Sequence, residues 1–297
     1  MADPRWPTAR AWLESGVGLT ASDIAVLGVP AHLTSISRTG AHATPAAVRA
    51  ALERYSTYAW SADVDLAALT CRDDGDIDDP DGEEGEARTR ARVAALAATS
   101  RLVVALGGDN SITVAVAQGA WGDRIGTAGL VTLDAHHDLR DGTSNGSPVR
   151  RLVDAGLAGT RIAQVGIADF SNSPQYAARA RDLGVTVITR DALRREPIAE
   201  AMVRALAVAA AAGGPVHVDL DVDVVDRASV PGCPAAAPGG ISADELRVAA
   251  RVAGAHPAVT SIDITEVDAT ADVADGRTVR LAALLVLEAA AGLATRP

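Results

Sequence analysis

The sequence predicts an α/β fold: a single doubly wound domain with a mostly parallel central sheet flanked by helices. Short apolar segments recur along the chain and alternate with stretches of helical composition. Each apolar segment ends at Gly, Pro or Asp, which is typical of strands buried on both faces of a parallel sheet. The alternation implies right-handed βαβ crossovers. No shift in composition indicates a linker, so residues 1–297 are expected to form one domain.

The boundaries of these elements follow from the apolar pattern. The predicted strands are Ile24–Val29, Leu102–Leu106, Gly129–Leu133, Ile162–Ile167, Val185–Ile188, Val216–Leu220 and Val259–Ile264. The predicted helices are Pro45–Tyr55, Glu86–Thr99, Pro174–Leu183, Ile198–Ala212, Ala243–Ala253 and Arg277–Leu293. Thr44 before Pro45 indicates a helix N-cap, and Ser242 with Glu245 indicates a capping box. Ligands of such sheets bind beyond the carboxyl ends of the strands, so functional residues should follow the apolar segments.

The composition argues against several classes of protein. The formal net charge of −11 disfavours nucleic acid as a partner. Two cysteines, Cys71 and Cys233, predict neither a disulfide framework nor a zinc ribbon and fit a reducing compartment. No signal peptide and no segment long enough to span a bilayer is found, so a cytoplasmic protein without a membrane partner is expected. The acidic segment 73–86 is expected to be a solvated surface loop.

Metal-ligand side chains follow two of the predicted strands. They are Asp134, His136 and Asp138 after one strand, and Asp219 and Asp221 at the end of another, with Asp223 as a further candidate. Residues two apart on an extended chain point to the same side, so each set can converge. Unpaired, such carboxylates would repel one another, and bound divalent cations relieve that repulsion. Carboxylates with one imidazole suit manganese or magnesium, whereas a lone Asp after a strand is usually a cap or turn residue.

The chain resembles the ureohydrolases, the family of arginase, agmatinase and formimidoylglutamase. The likeness covers nearly the whole chain and rests on five ordered motifs. They are the first strand and Gly-rich loop in Gly28–Ala50, LGGDNSI at Leu106–Ile112, DAHHD at Asp134–Asp138, Asp219–Asp226 with Pro231–Gly232, and Glu266 in SIDITEV. The family resemblance implies an arginase-like α/β fold and two manganese ions in each subunit.

The resemblance also implies roles for individual residues. Asp134 and Asp219 would bridge the two ions, Asp138 and Asn110 would complete the first, and His136 and Asp221 would complete the second. Asp138 would also orient the attacking water, and Glu266 would accept hydrogen bonds from the substrate's amidinium nitrogens. His217 is expected to hydrogen-bond a ligand carboxylate. Asp223 and Asp226 are expected to hold the loop that follows the strand.

One departure from the family pattern concerns the first ion. Position 110 is Asn where the family usually has a metal-binding His. Its amide oxygen is a hard donor acceptable to manganese, although it should bind more weakly than imidazole. Three hypotheses follow: the site holds two ions, it holds the first ion only at high metal concentration, or the protein has lost activity. The first is favoured because every other ligand position is filled.

A second departure concerns the substrate. Asn145 stands where arginase and agmatinase carry a His, and the loop resembles that of formimidoylglutamases. Arg140 and the loop residues Ser144, Asn145 and Gly146 are therefore expected to bind substrate. Formimidoylglutamate carries two carboxylates, and Arg140 could form a bidentate pair with one of them. Arg150 and Arg151 are alternative partners for that carboxylate. Both can also be interpreted as ordinary helix-surface residues, and this interpretation is favoured for Arg151.

Three functions remain open. The preferred one is a manganese-dependent hydrolase of linear amidines, a formimidoylglutamase that converts N-formimidoyl-L-glutamate to L-glutamate and formamide in histidine catabolism. The second is an amidinohydrolase acting on agmatine or another guanidino compound. The third is a ureohydrolase-like protein that binds little metal and does not catalyse. The family resemblance further suggests a homo-oligomer, a trimer or hexamer, whose only other partner is a small-molecule substrate.

Overall fold

The computed structural model describes Asp3 and residues 5–296, and one eight-stranded parallel sheet runs through these residues. Its strands are β1 (Ser22–Val29), β4 (Cys71–Asp76), β5 (Ser100–Gly107), β6 (Gly129–Leu133), β7 (Ile162–Ile167), β8 (Thr186–Thr189), β9 (Val216–Asp221) and β10 (Val259–Thr265). Two short strands, β2 (Tyr58–Ala59) and β3 (Val64–Asp65), form a separate antiparallel pair. All neighbouring strands of the large sheet run parallel. The predicted fold class is confirmed, while the single domain over residues 1–297 stays a prediction.

Helices cover both faces of the sheet. They are α1 (Ala9–Leu13), α2 (Thr44–Ala51), α3 (Gly82–Ala97), α4 (Ile112–Trp121), α5 (Pro148–Asp154), α6 (Pro174–Asp182), α7 (Ile198–Ala209), α8 (Ala243–Ala255) and α9 (Arg277–Ala294). Side chains alternate along each strand, so Val26 and Val104 pack with α2 and α9 while Ala25 and Val103 pack with α3 and α4. Burial on both faces explains why the strands read as continuous apolar segments.

The strand order brings the predicted functional segments together at the carboxyl ends of the strands. The order is β4-β1-β5-β10-β9-β6-β7-β8, so β5, β10, β9 and β6 are consecutive neighbours. Because these strands are parallel, their carboxyl ends lie side by side. Asp221 is the last residue of β9, and Asn110, Glu266 and Asp134 follow β5, β10 and β6. The site therefore lies at the edge of the sheet where the sequence predicts it.

The sequence analysis did not predict α1, α4, α5, β2, β3 or β4, and two of these, α4 and β4, have a clear physical reason. Helix α4 was missed because nearly every residue in it is buried, which removes the polar face that marks an amphipathic helix. Part of the acidic segment is not a solvated loop but strand β4 at the edge of the sheet. The buried Arg49 explains this: its guanidinium hydrogen-bonds both Asp73 carboxylate oxygens, at 2.8 and 2.9 Å, and also contacts Asp76.

The two predicted helix caps have different outcomes. The capping box of Ser242 and Glu245 is confirmed, with both reciprocal hydrogen bonds present at the start of α8. The N-cap prediction for Thr44 is wrong, because Thr44 is already the first residue of α2. Its hydroxyl instead donates to the carbonyl oxygen of Val267, which ties α2 to the loop after β10. Within the described residues, no helix has the length and apolar character needed to cross a membrane.

Candidate metal centre

Three ligand-type side chains meet where β6 and β9 end. His136 Nδ1 lies 2.8 Å from Asp223 Oδ2 and 3.4 Å from Asp134 Oδ1. One ligand atom from each of the three residues lies within 4.8 Å of the others. The backbone N–H of Ala135 donates to Asp223 Oδ1 at 3.0 Å, so the loop after β6 itself orients this carboxylate. The group has the donors and the spacing to hold one cation.

The convergence does not arise from strand alternation as the sequence suggested. Strand β6 ends at Leu133, so Asp134, His136 and Asp138 lie on an irregular loop. Asp138 adopts a left-handed backbone with φ 52°, and Glu266 does so with φ 62°. Such conformations are uncommon for residues other than Gly and are frequently held at functional sites by the surrounding structure. Backbone turns therefore aim these carboxylates into the site.

A cavity of about 230 Å³ opens onto this group. Seven predicted site residues line it: His136, Asp138, Arg140, Asn145, Gly146, Asp221 and Glu266. Asp223, Ile36, Ser37 and Ala235 complete the wall. A larger cavity of about 530 Å³ lies beside α3 and α4, and one of the arginines that line it, Arg151, is already paired. There Arg151 forms a two-bonded pair with Glu86, at 2.8 and 2.7 Å, which makes Arg151 a structural residue rather than a substrate anchor.

The structure does not support Asp219 as a metal ligand. Asp219 lies inside β9, fully buried, and does not line the cavity. The Thr265 hydroxyl donates to it at 3.3 Å from the neighbouring strand. Asp223, rather than Asp219, lies in the group of ligand-type side chains with Asp134 and His136, so its contacts extend beyond the loop that it was expected to hold. The apolar segment ends at Leu220, so the rule that functional residues follow such segments favours Asp221 and Asp223 over Asp219.

His217 lies one pleat deeper than Asp219 and contacts no carboxylate of the cavity. Its Nδ1 lies 2.8 Å from the Ser261 hydroxyl oxygen. Its Nε2 lies 3.2 Å from Asp263 Oδ2 but without the directionality of a hydrogen bond. The expectation that His217 hydrogen-bonds a ligand carboxylate is therefore replaced by contacts with β10.

Asn110 lies beside the cavity in a hydrogen-bonded arrangement that differs from the predicted ligation. Its side-chain Nδ2 donates to Asp138 Oδ2 at 2.6 Å. Its Oδ1 accepts hydrogen bonds from the hydroxyls of Thr113 and Thr265, at 2.9 and 3.2 Å. An amide NH₂ group cannot ligate a cation, so the predicted ligand role of Asn110 conflicts with this orientation. Here Asn110 acts as a donor to Asp138.

Glu266 lies on the opposite wall of the cavity and accepts a hydrogen bond from the loop that contains Asn145. Its Oε1 accepts hydrogen bonds from the Asn110 backbone N–H at 2.8 Å and from Asn145 Nδ2 at 2.9 Å. Asn145 also accepts from the N–H of Ile36, so it bridges two loops. Ser144 does not line the cavity; its hydroxyl accepts from the N–H of Gly146 and shapes the loop.

The electrostatics of the site fit bound cations. Burial, reinforced by the neighbouring Asp223, raises the pKa of Asp134 to about 6. Burial and neighbouring carboxylates also raise the pKa values of Asp138 and Asp221 well above their usual range. Asp134 Oδ2 is buried without a hydrogen-bond partner among the described residues. An orphaned carboxylate oxygen among like charges is costly, and a divalent cation on hard oxygen donors removes that cost.

His136 gives a second indication. Burial opposes its protonation, but its hydrogen bonds to Asp134 and Asp223 outweigh burial and raise its pKa to about 12. Without metal, the imidazole therefore carries the positive charge that balances the two carboxylates. A metal ion bound to these side chains would replace that proton, because a ligating imidazole must be neutral.

Comparison with known proteins shows which family the chain belongs to. Residues 22–292 match the model of the arginase family. The chain belongs to the arginase family. It is 35% identical over 282 residues to a formimidoylglutamase from Bacillus subtilis (strain 168), an alignment covering 92% of this chain and 88% of that protein. This confirms the resemblance to the ureohydrolases noted from the sequence motifs.

Solved structures give the same relationship. The crystal structure of Bacillus subtilis formimidoylglutamase superimposes on this arginase-family chain with a TM-score of 0.93 at 32% identity, covering 100% of this chain and 95% of that one. The structure of Trypanosoma cruzi formiminoglutamase with Mn²⁺₂ matches with a TM-score of 0.91 at 25% identity, covering 98% of this chain and 100% of that one.

Proposed function

We propose that this protein is a manganese-dependent formimidoylglutamase, which hydrolyses N-formimidoyl-L-glutamate to L-glutamate and formamide. The observation that carries the proposal is one cavity lined by metal-ligand carboxylates, the buried Glu266 and the cationic Arg140. The similarity to formimidoylglutamases over 92% of the chain supports the same substrate. Membership of the arginase family supports hydrolysis of a C–N bond.

Five side chains are proposed to hold two Mn²⁺ ions: Asp134, His136, Asp138, Asp221 and Asp223. The first ion is the one beside Asp138, and the second is the one beside His136 and Asp223. Carboxylates with a single imidazole form a hard donor set that suits manganese. When bound, the ions supply the Lewis acidity that makes a water molecule nucleophilic near neutral pH.

Glu266 is proposed to recognise the formimidoyl group. Its Oε1 is occupied by two N–H donors, which leaves Oε2 for the substrate's nitrogens. In this structure burial raises the pKa of Glu266 to about 8, against the hydrogen bonds from Asn145 and Asn110 that favour the ionised form. A cationic formimidoyl group stabilises the carboxylate, and the resulting charge-assisted pair fixes the carbon that is attacked.

Asp138 is proposed to move the proton. Water attacks the formimidoyl carbon and loses a proton to the Asp138 carboxylate. The bond between that carbon and the glutamate nitrogen then breaks, and Asp138 returns the proton to the departing nitrogen. Formamide keeps the water oxygen and the second nitrogen, and glutamate leaves as the amine. A positioned carboxylate can take a proton and return it in this way.

Arg140 is proposed to bind a substrate carboxylate. It lines the cavity, and its guanidinium has neither a hydrogen bond nor an ion pair within residues 3 and 5–296. By contrast, the Arg150 guanidinium donates to the carbonyl oxygens of Arg140 and Gly142, at 2.8 and 2.5 Å, so it fixes the loop. A planar guanidinium pairs with a carboxylate through two hydrogen bonds. Agmatine has no carboxylate and would gain nothing from Arg140.

The cellular setting is part of the same proposal. A cytoplasmic enzyme of histidine catabolism is consistent with two free, buried cysteines. A homo-oligomer, trimer or hexamer, is proposed from the family membership alone.

The test is a substrate panel under one set of conditions. The Mn²⁺-loaded protein is incubated with N-formimidoyl-L-glutamate, agmatine and L-arginine, and products are followed by NMR. Formamide and glutamate are expected from the first compound, with no urea from the other two. Asp134→Asn serves as the metal-deficient control. Urea from agmatine or arginine would favour an amidinohydrolase, and no turnover with less than one ion per chain would favour a non-catalytic protein.

A further inference from the structure

The orientation of the Asn110 side chain is fixed from three elements of the fold. Asn110 follows β5, Thr113 lies in the first turn of α4, and Thr265 is the last residue of β10. The Thr113 hydroxyl donates to Asn110 Oδ1, and the Thr265 hydroxyl shares its one hydrogen between Asn110 Oδ1 at 3.2 Å and Asp219 Oδ1 at 3.3 Å. Both threonines are completely buried. The next residue, Glu266, accepts from the Asn110 backbone N–H at 2.8 Å. The Thr265–Glu266 dipeptide thus holds both the side chain and the backbone of Asn110.

Chemistry decides which way the amide points. Asp138 Oδ2 lies 2.6 Å from the Asn110 side-chain atom that faces it. That atom is the amide nitrogen, which suits Asp138 as a metal ligand, because an ionised carboxylate only accepts hydrogen bonds. Rotating the amide by half a turn would bring two acceptor oxygens together at that distance. It would also turn the amide oxygen away from the two hydroxyls that now donate to it.

We propose that Thr113 and Thr265 are positioning residues for the first metal ion. By donating to Asn110 Oδ1, they keep its NH₂ group directed at Asp138. The Asp138 carboxylate is thereby held with one oxygen on Asn110 and the other free for the cation. This inference rests on the proposed metal centre, and it assigns to two uncharged residues the control of one ion out of two.

The arrangement acts on the first ion only. Neither threonine contacts Asp134, His136 or Asp223, the residues proposed to hold the second ion. Residues that orient a metal ligand typically change metal affinity by about 10- to 100-fold when they are replaced. Loss of both hydroxyls should therefore weaken the first ion by that factor and leave the second unchanged.

The experiment is a Mn²⁺ titration monitored by the EPR signal of the free ion. Thr113→Val, Thr265→Val and the double variant remove the hydroxyls while keeping the branched shape. Wild type should bind two ions, and the double variant should bind one with wild-type affinity and one roughly 10- to 100-fold more weakly. Thr113→Ser and Thr265→Ser keep the donor and should restore wild-type binding, which a purely structural role of the methyl groups would not predict.

A matched control separates this effect from general damage. Thr89 in α3 is also buried, and its hydroxyl donates only to the Gly85 carbonyl oxygen, far from the site. Thr89→Val should leave both ions unaffected, and circular dichroism should show every variant folded. Unchanged affinities in the double valine variant, or equal losses in the serine variants, would overturn the inference. A wild-type protein that binds fewer than two ions would instead overturn the proposed metal centre.

Discussion

The two sides of the candidate metal centre are built on different principles. On the β6–β9 side, His136 contacts Asp134 and Asp223 directly, so charged ligand atoms already surround a common point. On the β5–β10 side, Asp138 meets the neutral Asn110, and two hydroxyls hold that amide in place. One side is preorganised by ion pairs and the other by hydrogen bonds.

The difference predicts unequal roles for the two metal ions. The second ion replaces a proton on His136 and takes ligands that are already close together. The first ion depends on a carboxylate whose position is set through a chain of neutral donors. Charged ligands should therefore dominate the affinity of the second ion, whereas hydrogen bonds adjust the first. The following predictions test this contrast, beginning with the largest expected effect.

Asp223→Asn should abolish binding of the second ion and reduce turnover by more than about a hundredfold. Residues that merely orient ligands already cost up to about a hundredfold, and a direct ligand should cost more. The measurement is metal content by elemental analysis together with kcat for N-formimidoyl-L-glutamate. Asp219→Asn is the matched control, four residues earlier and inside β9, and should retain two ions. Loss of metal from Asp219→Asn but not from Asp223→Asn would return the ligand position to Asp219.

Asp219 and Asp223 show what the sequence could and could not predict. The strand, its position in the sheet and the edge where ligands gather all followed from apolar segments and from alternation with helices. The choice between Asp219 and Asp223 depends on where β9 ends, and three aspartates at equal spacing leave that register open. Predicted convergence by strand alternation was also wrong for Asp138, because its left-handed backbone has no signature in the sequence.

Asn110 illustrates a different limit. The motif containing it predicted a residue beside the first ion, and it does lie against Asp138. Whether an amide offers its oxygen or its nitrogen depends on donors that are distant in sequence, here Thr113 and Thr265. Thr265 lies 155 residues away from Asn110 along the chain. Such a contact is visible only after the sheet has assembled.

Arg140→Met should raise KM for N-formimidoyl-L-glutamate and lower kcat/KM by roughly 10- to 100-fold, because a charge-assisted pair contributes about 1.5–3 kcal/mol. Steady-state kinetics measure this effect, and the Arg140→Met variant should still bind both metal ions. Arg140→Lys should recover only part of the loss, since an ammonium lacks the planar fork of guanidinium. Arg38→Met, at an exposed arginine outside the cavity wall, is the control. Equal kinetics for Arg140→Met and wild type would remove Arg140 from the substrate site.

The smallest expected effect is a pH dependence of stability in the metal-free protein, and it involves both sides of the centre. The folded-state pKa of Asp134 is raised to about 6 and that of Glu266 to about 8, in both cases chiefly by burial. Both values exceed the ordinary values of 3.8 and 4.5. At a pH between the ordinary and the raised pKa of each group, the folded state therefore binds more protons than the unfolded state. Stability should therefore fall as pH rises through this window, and the contribution of these two groups to the fall ends above about pH 8.

His136 acts in the same direction, because its raised pKa contributes stability that is lost as pH rises above its ordinary value of 6.5. Thermal unfolding of the EDTA-treated protein should thus show a Tm that decreases by a few degrees from pH 6 to pH 8. Added Mn²⁺ should reverse the trend, since the cation competes with fewer protons at higher pH. Glu266→Gln removes one titrating group without removing a proposed ligand, and should flatten the metal-free profile between pH 6 and 8. Parallel profiles with and without Mn²⁺ would mean that protons and metal ions do not compete for these side chains.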